Sequence, residues 1–289
     1  MTKVFQLLLV LLSATAFAQI KSTILDGTTK DPVPYVNISV QGDKNIELSA
    51  DENGSFTLPK VNASAKVVLS AVGYANTTFG VSEIKEIIFF SSKPIELDEV
   101  VIGNKKGEHS FVVNPVKKAK NTFMGAGGGT NGSLLHATYI PYKEAYAATP
   151  YIDKIRLKTG GDFSYTFNVR LQAVNEDGSP GDYLHNENIL VKIKKGQKYA
   201  DIDFSKTHIT IPEEGIFIAV EHIAIKENRL SHYDDGSNFP AHLYAYGPTF
   251  LCKIGEDQRG WHYKEGEWKR NPKTEKGYSR FVIEVTLTD

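Results

Sequence analysis

The chain has 289 residues, with 33 Lys+Arg against 34 Asp+Glu and a formal net charge of -1. That length suits about two domains, each with a buried core, and near-neutrality leaves no global field to draw the protein to nucleic acid or to an anionic membrane. An apolar content of 41% with 11% aromatics excludes a disordered chain.

The N-terminus carries a targeting pattern. Lys3, the apolar run VFQLLLVLLSATAF and the small-residue site AFA before Gln19 predict a cleaved secretory signal over residues 1–18. The run is shorter than the roughly 20 residues that span a bilayer. No Cys follows it to carry a lipid, and no later segment is apolar enough to cross. The expectation is an exported protein of the periplasm or cell surface, with no membrane span after signal removal. Cys252 is the only cysteine, so no internal disulfide is available, and within PTFLCKI it reads as a small buried hydrophobe in a strand.

Beyond residue 20 nearly every periodic segment has period two. In YVNISV, Val36, Ile38 and Val40 share a face; SFTLP and KVVLSAVGY continue the device, with LDGTTKDPVP and DENGS as turns between them. In FSYTFNVRLQA the set Phe163, Tyr165, Phe167, Val169, Leu171, Ala173 alternates with polar residues, which predicts one strand with one buried face. GIFIAVEHIAI is apolar almost throughout and predicts a central strand covered on both sides. RFVIEVTLTD alternates again at Phe281, Ile283, Val285 and Leu287, and only PYKEAYAATPY has helical character, confined by Pro141 and Pro150. The fold class is all-β, with two β-sandwich domains.

The composition shifts at GNKKGEHS, residues 103–110, and at GAGGGTNGS, residues 125–133. The predicted organisation is a signal peptide at 1–18, a first sandwich at 19–103, a linker at 104–110 and a second sandwich at 111–289. The stretch PIELDEVVIGNKKG, residues 94–107, then closes the first domain and begins the linker. The glycine run reads as an entry loop: a phosphate cradle needs a Lys and a helix behind its glycines, and LLHATYIP is extended instead.

Four pieces in order carry a family resemblance: ILDGTTKDPVPYVNISVQG, SADENGSFTLP, LSAVGY and ELDEVVIG. Residues 20–103 resemble the carboxypeptidase regulatory-like domain, a transthyretin-type β-sandwich common in exported proteins of the Bacteroidetes. Within it Asn53-Gly54 suits a tight hairpin turn, and Gly73-Tyr74 a strand end plugged by an aromatic ring. Outer-membrane receptors that carry this domain continue into a large barrel, whereas the remaining residues here lack the many long amphipathic strands of one. The segments IDKIRLKT, FNVRLQAVNEDGSPGDYLHNENILV, YADIDFSKTHITIPEEGIFIAVEHI and FVIEVTL resemble the jelly-roll or galactose-binding-like sandwiches attached to many such proteins.

No complete catalytic constellation stands out. The metallocarboxypeptidase pattern needs a His-x-x-Glu pair and a further His downstream; His262 and Glu265 form such a pair, but no His follows. Glu221 and His222 are strand neighbours, so they point to opposite faces and cannot work as an acid–base couple. Each is expected to find a cross-strand partner. NEDGSPGDY places Glu176, Asp177 and Asp182 around two glycines, which fits a plain hairpin turn or a structural calcium loop. SHYDDGSN, residues 231–238, has the same two readings.

In RGWHYKEGEWKR, Trp261, Tyr263 and Trp268 flank Gly266, with Arg270 beside them. As a hairpin this forms either core or a platform on which sugar rings stack, with Arg270 binding ring hydroxyls. The expectation is a non-catalytic binding or adaptor protein of the cell envelope, whose partner is a glycan or another envelope protein. A structural or docking component is the alternative, and a hydrolase the third reading.

Overall fold

The period-two segments at the N-terminal end become seven strands: β1 (Ile20–Asp26), β2 (Asn37–Gln41), β3 (Glu47–Ser49), β4 (Ser55–Leu58), β5 (Lys66–Ser70), β6 (Thr77–Gly80) and β7 (Ile87–Phe90). The computed structural model describes residues 19–42, 46–93, 107–125, 128–129, 134–161, 163–186, 188–230 and 245–289. The predicted signal, residues 94–106 with most of the proposed linker, much of the 125–133 glycine run and the acidic stretch 231–238 lie outside the described residues.

The first sandwich stacks a sheet of order β4-β1-β7, with β1 and β7 parallel, on an antiparallel sheet of order β3-β2-β5-β6. Ile24, Leu58 and Phe90 from one sheet meet Ile38, Val40, Val67 and Leu69 from the other. The expected hairpin at Asn53-Gly54 is not one. β3 and β4 belong to different sheets, so this turn carries the chain across the sandwich. Asp51 Oδ1 accepts from the backbone N–H groups of Asn53 and Ser55. Gly54 is required there: its φ is +72, and a Cβ would lie 2.4 Å from the Ile24 carbonyl oxygen. Tyr74 does plug the strand end, stacked on Phe90 at 4.8 Å with its hydroxyl donating to Asp26 at 2.9 Å.

The second sandwich begins with β8 (Ser110–Val113), β9 (Thr122–Met124), β10 (Gly128–Gly129), β11 (Leu135–Ile140), β12 (Tyr151–Lys158), β13 (Tyr165–Val174), β14 (Pro180–Tyr183), β15 (Ile189–Ile193) and β16 (Tyr199–Asp203). It ends with β17 (Ile216–His222), β18 (Ala245–Tyr246), β19 (Leu251–Gly255), β20 (Gly260–Lys264), β21 (Glu267–Arg270), β22 (Lys273–Thr274), β23 (Gly277–Phe281) and β24 (Ile283–Thr288). PYKEAYAATPY supplies only one short 3₁₀ turn, Glu144–Tyr146.

A seven-stranded sheet of order β14-β13-β17-β11-β20-β21, with β15 also on β13, faces two four-stranded sheets, β16-β12-β24-β8 and β22-β23-β19-β9. Phe167, Val169, Leu171, Ile218 and Val220 on its inner face pack on Ile155, Leu157, Phe250, Val285 and Leu287. Each such side chain contributes about 1.5–3 kcal/mol by burial. β17 is central and buried at every position, as its composition predicts. Among the described residues, no helix is long and apolar enough to cross a membrane.

Candidate functional site

The expectation of one buried face for β13 is half right. Phe163 precedes the strand and is exposed, while the alternate polar residues Asn168, Arg170 and Gln172 are 0%, 0% and 3% exposed. Both faces of the strand are therefore buried. The polar face is closed by charge pairing: Arg170 donates from Nε and Nη2 to the two Glu221 oxygens at 3.0 and 2.5 Å. Its Nη1 donates to the Tyr183 hydroxyl at 2.5 Å, and Asn168 Nδ2 donates to Glu221 and to Asn188. Burial works against the guanidinium charge, but Glu221 more than offsets it and holds Arg170 above the ordinary arginine value.

Glu221 thus finds the cross-strand partners expected of it. His222, on the opposite face, instead lies against the backbone carbonyls of Leu134 and Pro248, at 3.2 and 3.0 Å. Burial lowers its pKa to about 4, so it is neutral at physiological pH.

The same outer face carries the aromatic hairpin. β20 and β21 pair with Trp261 opposite Arg270 and Tyr263 opposite Trp268, so all four side chains share one face. The tryptophans are diagonal rather than directly opposed. Trp261 and Tyr263 are buried with Leu135, Ala137, Phe217 and Ala219, whereas Trp268 is half-buried. The Arg270 guanidinium lies 5.1 Å over the Trp261 ring. Two of the four residues are therefore packed in a small aromatic core, which their flanking charges did not announce.

The hairpin tip meets the first sandwich. Glu265 and Gly266 have φ +57 and +82, the left-handed pair that a two-residue turn of this twist requires. Gln41 Nε2 donates to the Glu265 carbonyl at 2.9 Å, and the Glu265 N–H donates to Glu47 Oε1 at 3.3 Å. Burial raises the Glu47 pKa to about 7, against the Ser39 hydroxyl that donates to it at 2.6 Å. A second tie runs from the Ala224 N–H to Ser49 Oγ at 3.0 Å.

Beside this latch the two sandwiches enclose a cleft of about 620 Å³. Its floor is the outer face of the seven-stranded sheet, with Gln172, Tyr263 and Trp268; Tyr74 and Asn76 line it from the first sandwich. Lys93 and Asp182 face each other at its edge, 3.5 Å apart and both largely exposed. Gln172 Nε2 donates to the Gly181 carbonyl at 2.8 Å, and its buried Oε1 has no partner among the described residues. The volume falls in the ~300–1,000 Å³ range of small-molecule sites.

The acidic loop is a turn in this structure. Asp177 Oδ1 accepts from the N–H and hydroxyl of Ser179, at 2.9 and 2.6 Å, and these bonds hold its pKa below the usual carboxylate value. Glu176 is exposed, and Asp182 points to Lys93 at the cleft. Glu176, Asp177 and Asp182 are therefore not brought together as a calcium cage. Among the described residues no three His, Cys, Asp or Glu side chains gather as metal ligands. His262 is directed to Asn271 Oδ1 at 2.9 Å and the Glu265 carboxylate to Lys269 at 3.8 Å, so the His-x-x-Glu pair does not converge. Cys252 is buried, and burial pushes its thiol up to about 12.

Residues 20–102 match the family model of the CarboxypepD_reg-like domain, which supports the resemblance for the first sandwich and stops before the second. Among solved structures the chain is similar to the cysteine protease and lectin-like domains of Cwp84, a surface layer associated protein of Clostridium difficile. The identity is 10% and the TM-score 0.38, over 88% of this chain and 59% of that one. A clostridial Cwp84 structure after propeptide cleavage gives 10% identity and a TM-score of 0.39, over 95% of this chain and 72% of that one. The chain thus spans less than two thirds of the first of these structures. No curated protein matches it.

Proposed function

We propose that the protein is a non-catalytic, exported binding protein of the cell envelope that holds a glycan in the cleft between its sandwiches. The observation that carries this reading is the composition of the cleft. A half-buried Trp268 stands beside Asn76, Gln172 and Asp182 in a space large enough for a saccharide. Indole takes the apolar face of a sugar ring, and amides and carboxylates take its hydroxyls. The unpartnered Gln172 Oε1 is a buried acceptor suited to one such hydroxyl. Export rests on the N-terminal Lys3, apolar run and AFA site.

The test is calorimetric titration of the full chain against a panel of neutral and acidic oligosaccharides. Binding that Trp268→Ala weakens about tenfold to a hundredfold supports the reading. No binding across the panel, or binding untouched by Trp268→Ala, overturns it.

One observation favours protein docking as the second reading. Ile87 and Phe89, on the outer strand β7, are 47% and 54% exposed. Such an edge suits strand addition by another envelope protein. In that case sugar titrations stay flat, and Phe89→Lys abolishes co-migration with the partner.

A further inference from the structure

Away from the interdomain cleft, a pocket of about 190 Å³ opens within the second sandwich. Four of the side chains that line it are basic: Lys118, Lys253, Arg259 and Arg280. One carboxylate organises two of them. Asp257 pairs with Arg259 Nε through Oδ2 and accepts from Arg280 Nη1 through Oδ1 at 2.5 Å. Arg280 is further fixed by donating to the Asp257 carbonyl at 2.9 Å, and its side chain is only 9% exposed. A single carboxylate against four cations leaves a strong positive excess. Burial first, and then the neighbouring Arg280, hold the Lys253 amine below its usual value, with Asp257 acting the other way.

A second observation is independent of charge. Thr138 on β11 lines the same pocket, is 3% exposed, and its Oγ1 has no hydrogen-bond partner among the described residues. Opposite it on β20 stands Gly260, which has no side chain to supply one. A buried hydroxyl left in this way is costly unless something outside the chain satisfies it. The space is more than ten times the ~10–15 Å³ that holds one water.

We propose that this pocket is an anion site that takes a sulfate or phosphate group, bound by Lys253 and the Asp257-ordered Arg280 and accepting a hydrogen bond from the Thr138 hydroxyl. Rigid guanidinium forks and a point-charge amine around one small space are the donors that such oxygens require. The group arrives either as the free ion or as an ester on a saccharide, and both present the same oxygens.

The experiment is thermal melting and calorimetry of the full chain with sodium sulfate and sodium phosphate, against sodium chloride at matched ionic strength. A saturable stabilisation by sulfate or phosphate beyond chloride is expected. Lys253→Gln should weaken it roughly tenfold or more, and Thr138→Val, which keeps the side-chain shape, several-fold. A glucose sulfate ester that binds more tightly than inorganic sulfate identifies the saccharide source, and equal or weaker binding identifies the free ion. Equal stabilisation by chloride, or wild-type affinity in both variants, overturns the site. If Lys253→Gln does not fold, Thr138→Val alone decides. None of these substitutions touches the cleft, so failure of the glycan reading leaves this outcome unchanged.

Discussion

The two faces of the seven-stranded sheet solve the same problem in opposite ways. The inner face removes Phe167, Val169, Leu171, Ile218 and Val220 from water and buries few polar side chains with them, among them Thr138 and His222. The outer face removes Asn168, Arg170, Gln172 and Glu221, nearly as completely, and must meet their hydrogen-bonding needs within the protein. An apolar face tolerates any neighbour of the right volume, whereas a paired-ion face fixes its neighbours' geometry. It also leaves single acceptors such as Gln172 Oε1 for a ligand to meet.

The sharpest way to break this comparison is to remove one ion. Glu221→Ala strands the Arg170 charge and should cost about 3–5 kcal/mol in urea denaturation. The pair Arg170→Met with Glu221→Leu should recover most of that loss. A double variant as unstable as the single one would show that the outer face depends on more than charge balance.

The hairpin divides along the same line. Trp261→Ala should destabilise by about 3–5 kcal/mol, as a deletion from packed core does. Trp268→Ala, half-buried at the cleft, should cost less than half as much. Similar melting temperatures for the two variants would erase the distinction between core and cleft.

Glu47 tests the contact that closes the outer face. Its carboxyl titrates at about 7 in the folded chain, above the ordinary 4.5, because burial beneath the hairpin disfavours its charge. Lys264 opposes that rise and the Glu265 carboxylate adds to it. Between these values the folded state binds the extra proton, so stability should grow as pH falls from about 7 to about 4.5, by up to about 3 kcal/mol. Glu47→Gln should flatten the slope in that window. Parallel pH profiles for the two proteins would remove Glu47 from the latch. The smallest effect is expected at the hairpin tip. Gly266→Ala places a methyl at φ +82, 2.8 Å from Gln41 Nε2 and 3.0 Å from Val68 Cγ2. It should cost about 1–2 kcal/mol and raise protease sensitivity between the sandwiches.

Much of the fold was legible because a strand's period is short and its signal local. β13, β17 and β24 follow from alternation or from an unbroken apolar run. The cleft was not legible. Asn168, Arg170 and Gln172 produce the same alternating pattern whether water or a second domain covers them, and only long-range pairing decides which. The Asn53-Gly54 turn is a similar case, since turn chemistry specifies a reversal but not the sheet that receives the next strand. The hairpin at Gly266 was readable from its glycine. The burial of Trp261 beneath Arg270 was not, because a guanidinium over an indole looks in sequence like a solvated charge.

Cys252 has a practical consequence. Its thiol is the only one in the chain and is held at about 12 by burial. At pH 8 it therefore stays a thiol, and its burial keeps it from reagents. A maleimide dye should thus label a thiol introduced at the surface in preference to Cys252. Lys93 and Asp182 stand on opposite sandwiches with 3.5 Å between their charged atoms. A Lys93→Cys, Asp182→Cys protein carrying a pyrene on each thiol would turn the width of the cleft into an excimer signal, read in solution as a candidate saccharide is added.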